Sequence, residues 1–67
     1  MISVCINGSP RTFAPATNIA DLIAAMDLTG KRIAIECNGE IVPRSQFAQH
    51  RLNDGDRIEV VVAVGGG

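Results

Sequence analysis

Apolar side chains alternate with small or polar ones from the first residues: Ile2, Val4 and Ile6, with Ser3 and Cys5 between them. A period of two is that of a half-buried strand. Asn7–Gly8 follows, a pair that tolerates the positive φ of a tight hairpin. A second strand around Arg11–Ala14 is therefore expected to return, with Phe13 facing inward. Pro10 and Pro15 limit that strand and suit an edge or end position, since proline has no N–H to give to a ladder. The period then changes. Ile19, Leu22, Ile23 and Met26 recur at i, i+3, i+4 and i+7, which draws one apolar stripe along a helix. Thr17 or Asn18 is placed to cap its start, Asp21 complements the dipole there, and Gly30 is expected to end it.

Alternation resumes at Ile33, Ile35 and Cys37, which predicts a third strand. Asn38–Gly39 is a second hairpin signal, and Glu40–Val42 a short fourth strand stopped by Pro43. Ser45–Gln49 reads as one helical turn with Phe47 tucked toward the core. Asn53–Asp54–Gly55–Asp56 carries turn chemistry. The last strand runs from Arg57 to Val62 or Val64. Ile58, Val60 and Val62 lie on one of its faces; Arg57, Glu59 and Val61 lie on the other. One helix cannot bury its stripe alone, so it must lie across one sheet face. The first and last strands have the strongest β composition and are expected to pair near the centre. The predicted fold class is α+β, a β-grasp roll: a mixed sheet of four to five strands with one main helix across one face. Residues 1–64 make up this domain, and 65–67 a glycine tail.

With 67 residues the chain is one domain. A domain of this size buries only about 60% of the surface its unfolded chain exposes. There is no Trp or Tyr and there are two Phe, so the core is built from Ile, Val, Leu, Ala and Met. The formal net charge of −1 argues against nucleic acid as a partner, which would call for a basic patch. No basic amphipathic helix points to a membrane surface, and no apolar run approaches the length that spans a bilayer. Met1–Ile6 lacks the charged region and cleavage site of a signal peptide, so the expected location is cytoplasmic. Cys5 and Cys37 could form one disulfide by arithmetic, but cytosolic thiols stay reduced. With His50 the only histidine, they do not make up a zinc site. No metal and no catalytic residues are assigned, which makes an enzyme the weakest reading.

Gly65–Gly66–Gly67 follows the last strand directly. A frayed end explains such a run on its own. The other reading is chemical. A carboxylate is a poor electrophile until its oxygen becomes a better leaving group, and adenylation by ATP achieves that. An activating enzyme must enclose the carboxylate and the phosphate together. Glycine has no side chain to obstruct a narrow channel and adopts any backbone conformation, so a Gly67 carboxylate on a thin arm could reach successive active sites while the body stays docked.

Asn7–Gly8, the run Asn38–Gly39–Glu40–Ile41–Val42–Pro43–Arg44, the turn Leu52–Asn53–Asp54–Gly55–Asp56 and the terminal Gly66–Gly67 occur in this order at this length. In these features the whole chain resembles the ThiS family, sulfur carriers of thiamine biosynthesis within the ubiquitin-like superfamily. The resemblance implies a cycle. A ThiF-like adenylating enzyme, using ATP and Mg, converts the Gly67 carboxylate into an acyl-adenylate. A sulfur donor such as a cysteine desulfurase supplies the sulfur that replaces the adenylate, leaving a thiocarboxylate on Gly67. A ThiG-like thiazole synthase takes that sulfur into the thiazole ring. Gly65, Gly66 and Gly67 would thread into the partner active sites, and the carrier itself binds no cofactor. Gly65 departs from the pattern, in which a larger residue often stands third from last.

Val61, Ala63 and Val64 make the last strand apolar on its outer side as well. They indicate a strand buried on both faces, scattered surface apolar residues, or a docking patch for partners beside the tail. Cys5 falls on the outer phase of its strand and Cys37 on the inner one. Asp54 and Asp56 lack the further oxygen ligands of a calcium loop. Lys31 is the only lysine, which gives little support for a chain-forming modifier. A carrier for molybdopterin synthesis shares the fold and tail but is usually longer. From a different class, a β-grasp interaction module with incidental glycines is the alternative; adenylation dependent on Gly67 separates the two.

Overall fold

The computed structural model describes residues 1–63; Val64, Gly65, Gly66 and Gly67 lie outside the described residues. Five strands form: β1 (Ile2–Ile6), β2 (Ser9–Phe13), β3 (Ile33–Cys37), β4 (Glu40–Val42) and β5 (Arg57–Val62). The helix α1 (Ile19–Ala25) lies between β2 and β3 in sequence, and a 3₁₀ turn (Arg44–Gln46) follows β4. The strand order in the sheet is β2-β1-β5-β3-β4. β1 and β5 are parallel neighbours, with Ile6 opposite Ile58. The remaining pairs are antiparallel. The two Ile- and Val-rich strands thus occupy the middle, as their composition predicts.

Both hairpins turn on an Asn-Gly pair with positive φ at both residues: 51° and 85° at Asn7 and Gly8, 53° and 86° at Asn38 and Gly39. This is the twist-matched two-residue turn that brings strands back in register. β2 begins at Ser9, earlier than the expected Arg11, so Pro10 sits inside the strand opposite Cys5. It is tolerated because β2 is an edge and the missing N–H removes no ladder bond.

The start of α1 is satisfied completely. The Ile19 and Ala20 amides donate to the His50 and Phe47 carbonyls at 2.9 and 3.0 Å. Asp21 donates to the Asn18 side chain at 2.7 Å, and the Asp21 carboxylate accepts from the Asn18 amide at 3.3 Å. Asn18 is the cap, with Asp21 closing a capping box. The helix stops at Ala25, short of the expected Gly30. Leu28 donates to the Ile23 carbonyl at 3.0 Å and Asp27 to that of Ala24 at 3.1 Å. Asp27 takes a left-handed φ of 59°. That pattern is a Schellman closure, and an aspartate can supply its left-handed residue. Leu28 folds back onto the core.

The core lies between α1 and the inner sheet face. Ile19 and Leu22 from the helix and Ile35 and Ile58 from the sheet are its largest fully buried side chains. Burying each contributes about 1.5–3 kcal/mol. Phe13, Met26 and Phe47 pack around the rim, as their sequence phases predict.

Candidate functional site

Since α1 covers one face of the sheet, the other face is open along β5. Its outer phase carries Arg57, Glu59 and Val61, all exposed. Val61 is 62% exposed, so a strand buried on both faces is not what this chain forms. Across the ladder from Val61 is Ala34 of β3. Farther along the same face, Ile41 of β4 stands opposite Glu36 and is 74% exposed. Ala63 is exposed beyond the strand, and its amide donates to the Arg32 carbonyl at 2.9 Å. Two of the expected docking residues, Val61 and Ala63, therefore share one end of the sheet with Ala34. The third, Val64, lies outside the described residues, as do the tail positions Gly65, Gly66 and Gly67.

Ile41 escaped the sequence reading. The signal was present: with Val42 on the inner phase, the alternation places Ile41 outward. The apolar end is bordered by two carboxylates, since Glu36 and Glu59 are direct cross-strand partners. Like charges in that position repel. With Arg57, Asn38 and Gly39 they line a shallow depression on the sheet.

Side chains from both hairpins hold β5 in place. The Asn38 side chain donates to Asp56 Oδ1 at 3.0 Å and accepts from the Arg57 amide at 2.9 Å. Asp56 Oδ2 accepts from the Asn53 amide at 2.8 Å, and Asp54 Oδ1 from the Ser3 amide at 2.7 Å. These two aspartates build the turn into β5, as expected of that run. At the far end of β1, Asn7 Oδ1 accepts from the Val60 amide at 2.8 Å, and Asn7 Nδ2 donates to the Val60 carbonyl at 3.1 Å. Asn-Gly pairs announce their turns through φ; nothing in the local sequence tells which strand their side chains will grip.

Both cysteines are free thiols. Cys5 is half-buried on the outer phase. Cys37 is buried on the inner phase, as read from the sequence. Burial, reinforced by the negative charge of Asp56 beside it, pushes the Cys37 thiol up to about 11. It is therefore not a nucleophile at neutral pH. His50 is half-buried, with its carbonyl committed to the helix start. No group of three or more metal-ligating side chains occurs among the described residues. On the open face, the exposed apolar side chains Val61 and Ile41 stand beside Arg57, Glu36 and Glu59.

The model of the ThiS family matches residues 4–67. Sulfur carrier protein ThiS of Escherichia coli is 30% identical over 98% of this chain and 100% of its own length. The thiazole synthase of Paramagnetospirillum magneticum is 38% identical over 98% of this chain, which spans 20% of that protein's length. Among solved structures, the crystal structure of the thiamine biosynthesis protein ThiS from Geobacter metallireducens superposes with a TM-score of 0.83 at 30% identity, covering 98% of this chain and all of that one. The match takes in the whole sheet, the helix and the residues after β5: this chain belongs to the ThiS family and has its ubiquitin-like β-grasp fold.

Proposed function

We propose that this protein is a sulfur carrier of thiamine biosynthesis and that Gly67 bears the cargo. A ThiF-like partner adenylates the Gly67 carboxylate: its oxygen attacks the α-phosphate of ATP and pyrophosphate leaves. The terminal sulfur of a persulfide formed by a cysteine desulfurase attacks the acyl-adenylate and AMP leaves. A second thiol then cleaves the resulting acyl disulfide, taking the sulfur that bore the persulfide into a new disulfide and leaving a thiocarboxylate on Gly67. At neutral pH that group is ionised, and its sulfur is a soft, strong nucleophile. A ThiG-like thiazole synthase draws on it to build the thiazole ring. ATP and Mg belong to the adenylating partner.

One observation carries the reading: the family match runs through the fold and on to Gly67. The chemistry of the residues agrees with it. Gly65 and Gly66 present no side chain where a partner's channel must close around the reacting carbonyl. Val61 and Ala63, together with Val64, make the docking patch for these enzymes; Val61 and Ala63 are exposed. The carrier works in the cytoplasm, where Cys5 and Cys37 stay reduced.

The test is ATP–pyrophosphate exchange by a ThiF-like enzyme in the presence of this protein. Exchange that requires the carrier and disappears when Gly67 is deleted supports the reading. Exchange that proceeds equally with the truncated chain contradicts it.

A further inference from the structure

The parallel ladder between β1 and β5 ends early. Cys5 donates to the Asp56 carbonyl and Asn7 to that of Ile58, each at 2.9 Å. The next main-chain donor in that series would serve Val60, but β1 has already turned at Asn7–Gly8 to start β2. In its place the Asn7 carboxamide supplies both groups, accepting from the Val60 amide and donating to its carbonyl. A primary carboxamide has the same donor and acceptor as a peptide unit, so one side chain extends the ladder by a residue. Beyond Val60 the sheet holds β5 through β3, with Val61 opposite Ala34 and Val62 opposite Ile33.

Resting on the carrier reading, we infer that Asn7 is a positioning residue for the delivery of Gly67. Its carboxamide fixes the last point at which β5 is held from both sides; beyond it, Val61 and Val62 are held by β3 alone and Ala63 by the Arg32 carbonyl. Asn7 is far from the reacting carbonyl in sequence, and its carboxamide is engaged by the Val60 main chain. Its effect is geometric. A docked carrier whose strand end wavers presents its carboxylate to the adenylating site less often in a reactive pose. Misplacement of about 1 Å can cost as much as a hundredfold in rate. The docking surface is formed by outward side chains of β5 and β4, whereas the clamp grips the Val60 main chain, so affinity for the partner stays with Val61 and its neighbours.

The experiment compares wild type with Asn7→Gly and Asn7→Asp. Glycine keeps the positive φ of the turn and removes only the carboxamide. Aspartate keeps an acceptor for the Val60 amide and loses the donor to its carbonyl. Adenylation by a ThiF-like enzyme is followed as a function of carrier concentration, with amide hydrogen exchange at Val60 and Ile35 as the readout independent of activity. The expected result for Asn7→Gly is a kcat lowered roughly tenfold to a hundredfold, an unchanged KM, and exchange accelerated at Val60 but not at Ile35. Asn7→Asp falls between the two. If Asn7→Gly fails to fold by circular dichroism, Asn7→Asp carries the comparison alone. A purely structural role gives the opposite split: partial unfolding lowers the competent fraction and raises the apparent KM, while kcat at saturation is retained. That result, or unchanged kinetics in a folded variant whose Val60 amide exchanges faster, overturns the inference. A wild-type chain that is not adenylated at all overturns the carrier reading and this inference with it, and it is recognised in the wild-type arm alone.

Discussion

Asn38 Nδ2 donates to Asp56 Oδ1 at 3.0 Å, and this bond ties the β3–β4 hairpin to the turn that launches β5. Asp56 is 7% exposed, the one buried charged or polar residue among those described. Its other oxygen is taken by the Asn53 amide, and no buried side-chain polar atom among the described residues lacks a partner. A buried carboxylate in this position is stable because both oxygens are hydrogen-bonded; each such bond to a charged group is worth about 1.5–3 kcal/mol.

Asp56→Ala removes both acceptors, leaving the Asn53 amide without its side-chain partner and Asn38 Nδ2 with only the weak Cys37 Sγ acceptor at 3.7 Å. The expected loss is about 3 kcal/mol, seen in urea unfolding as a lower midpoint. Asp56→Asn keeps one carboxamide acceptor and loses less. Equal stability of Asp56→Ala and wild type would show that the turn is held by backbone geometry alone.

Cys37 makes stability depend on alkaline pH. Its thiol ionises near 9.0 in the unfolded chain and near 11 in the fold, chiefly because it is buried and then because Asp56 repels the thiolate. Below the unfolded value both states hold the proton and the fold loses nothing. Between 9.0 and about 11 only the unfolded chain releases it, so stability falls as pH rises across that window. Two pK units correspond to about 3 kcal/mol. Thermal melts from pH 8 to 11 should show a decline in wild type that is much weaker in Cys37→Ala, whatever the stability of that variant at pH 7. Parallel declines would contradict the account. At neutral pH an alkylating reagent should reach Cys5 well before Cys37.

Asn18 acts twice: its Oδ1 caps α1 and its Nδ2 donates to the Ala48 carbonyl at 3.0 Å. Asn18→Ala should cost about 1–2 kcal/mol. Asn18→Ser retains a capping oxygen and gives up only the bond to Ala48, so it should cost less. A serine variant as unstable as the alanine variant would assign the effect to the loop and not to the helix cap.

The two phases of β5 should answer differently to charge. Val61→Asp, on the outer face, should leave the circular dichroism spectrum and the melting midpoint nearly unchanged, within about 0.5 kcal/mol of wild type. It should raise KM for a ThiF-like adenylating enzyme at least tenfold, the scale of about 1.4 kcal/mol in binding. Val60→Asp, one residue earlier and buried, should unfold the chain. An unchanged KM for Val61→Asp would remove this face from the docking surface.

How far the sequence reaches is visible in β5. The alternation of Ile58 and Val60 against Arg57, Glu59 and Val61 was enough to separate core from surface, because a strand has only two sides; Val62, on the inner phase at the end of the strand, is 38% exposed. The Asn-Gly pairs located both turns, because only a few residues accept positive φ in succession. Two kinds of feature were not legible. Helix closure at Asp27 came early because a left-handed aspartate and the return of Leu28 to the core end the helix before Gly30 is reached. The grips of Asn7 on Val60 and of Asn38 on Asp56 span |i−j| of 53 and 18, and no local pattern encodes such a distance. The opposition of Glu36 and Glu59 is hidden for the same reason, since it depends on the register between two strands.

The carrier account is tested most directly by intact-protein mass spectrometry. The protein is incubated with a ThiF-like adenylating enzyme, ATP, Mg, a cysteine desulfurase and cysteine. The account predicts a mass gain equal to the exchange of one oxygen for sulfur, confined to the C-terminal peptide and absent when Gly67 is deleted. An unchanged mass with partners that load another ThiS-family carrier in the same mixture would contradict it.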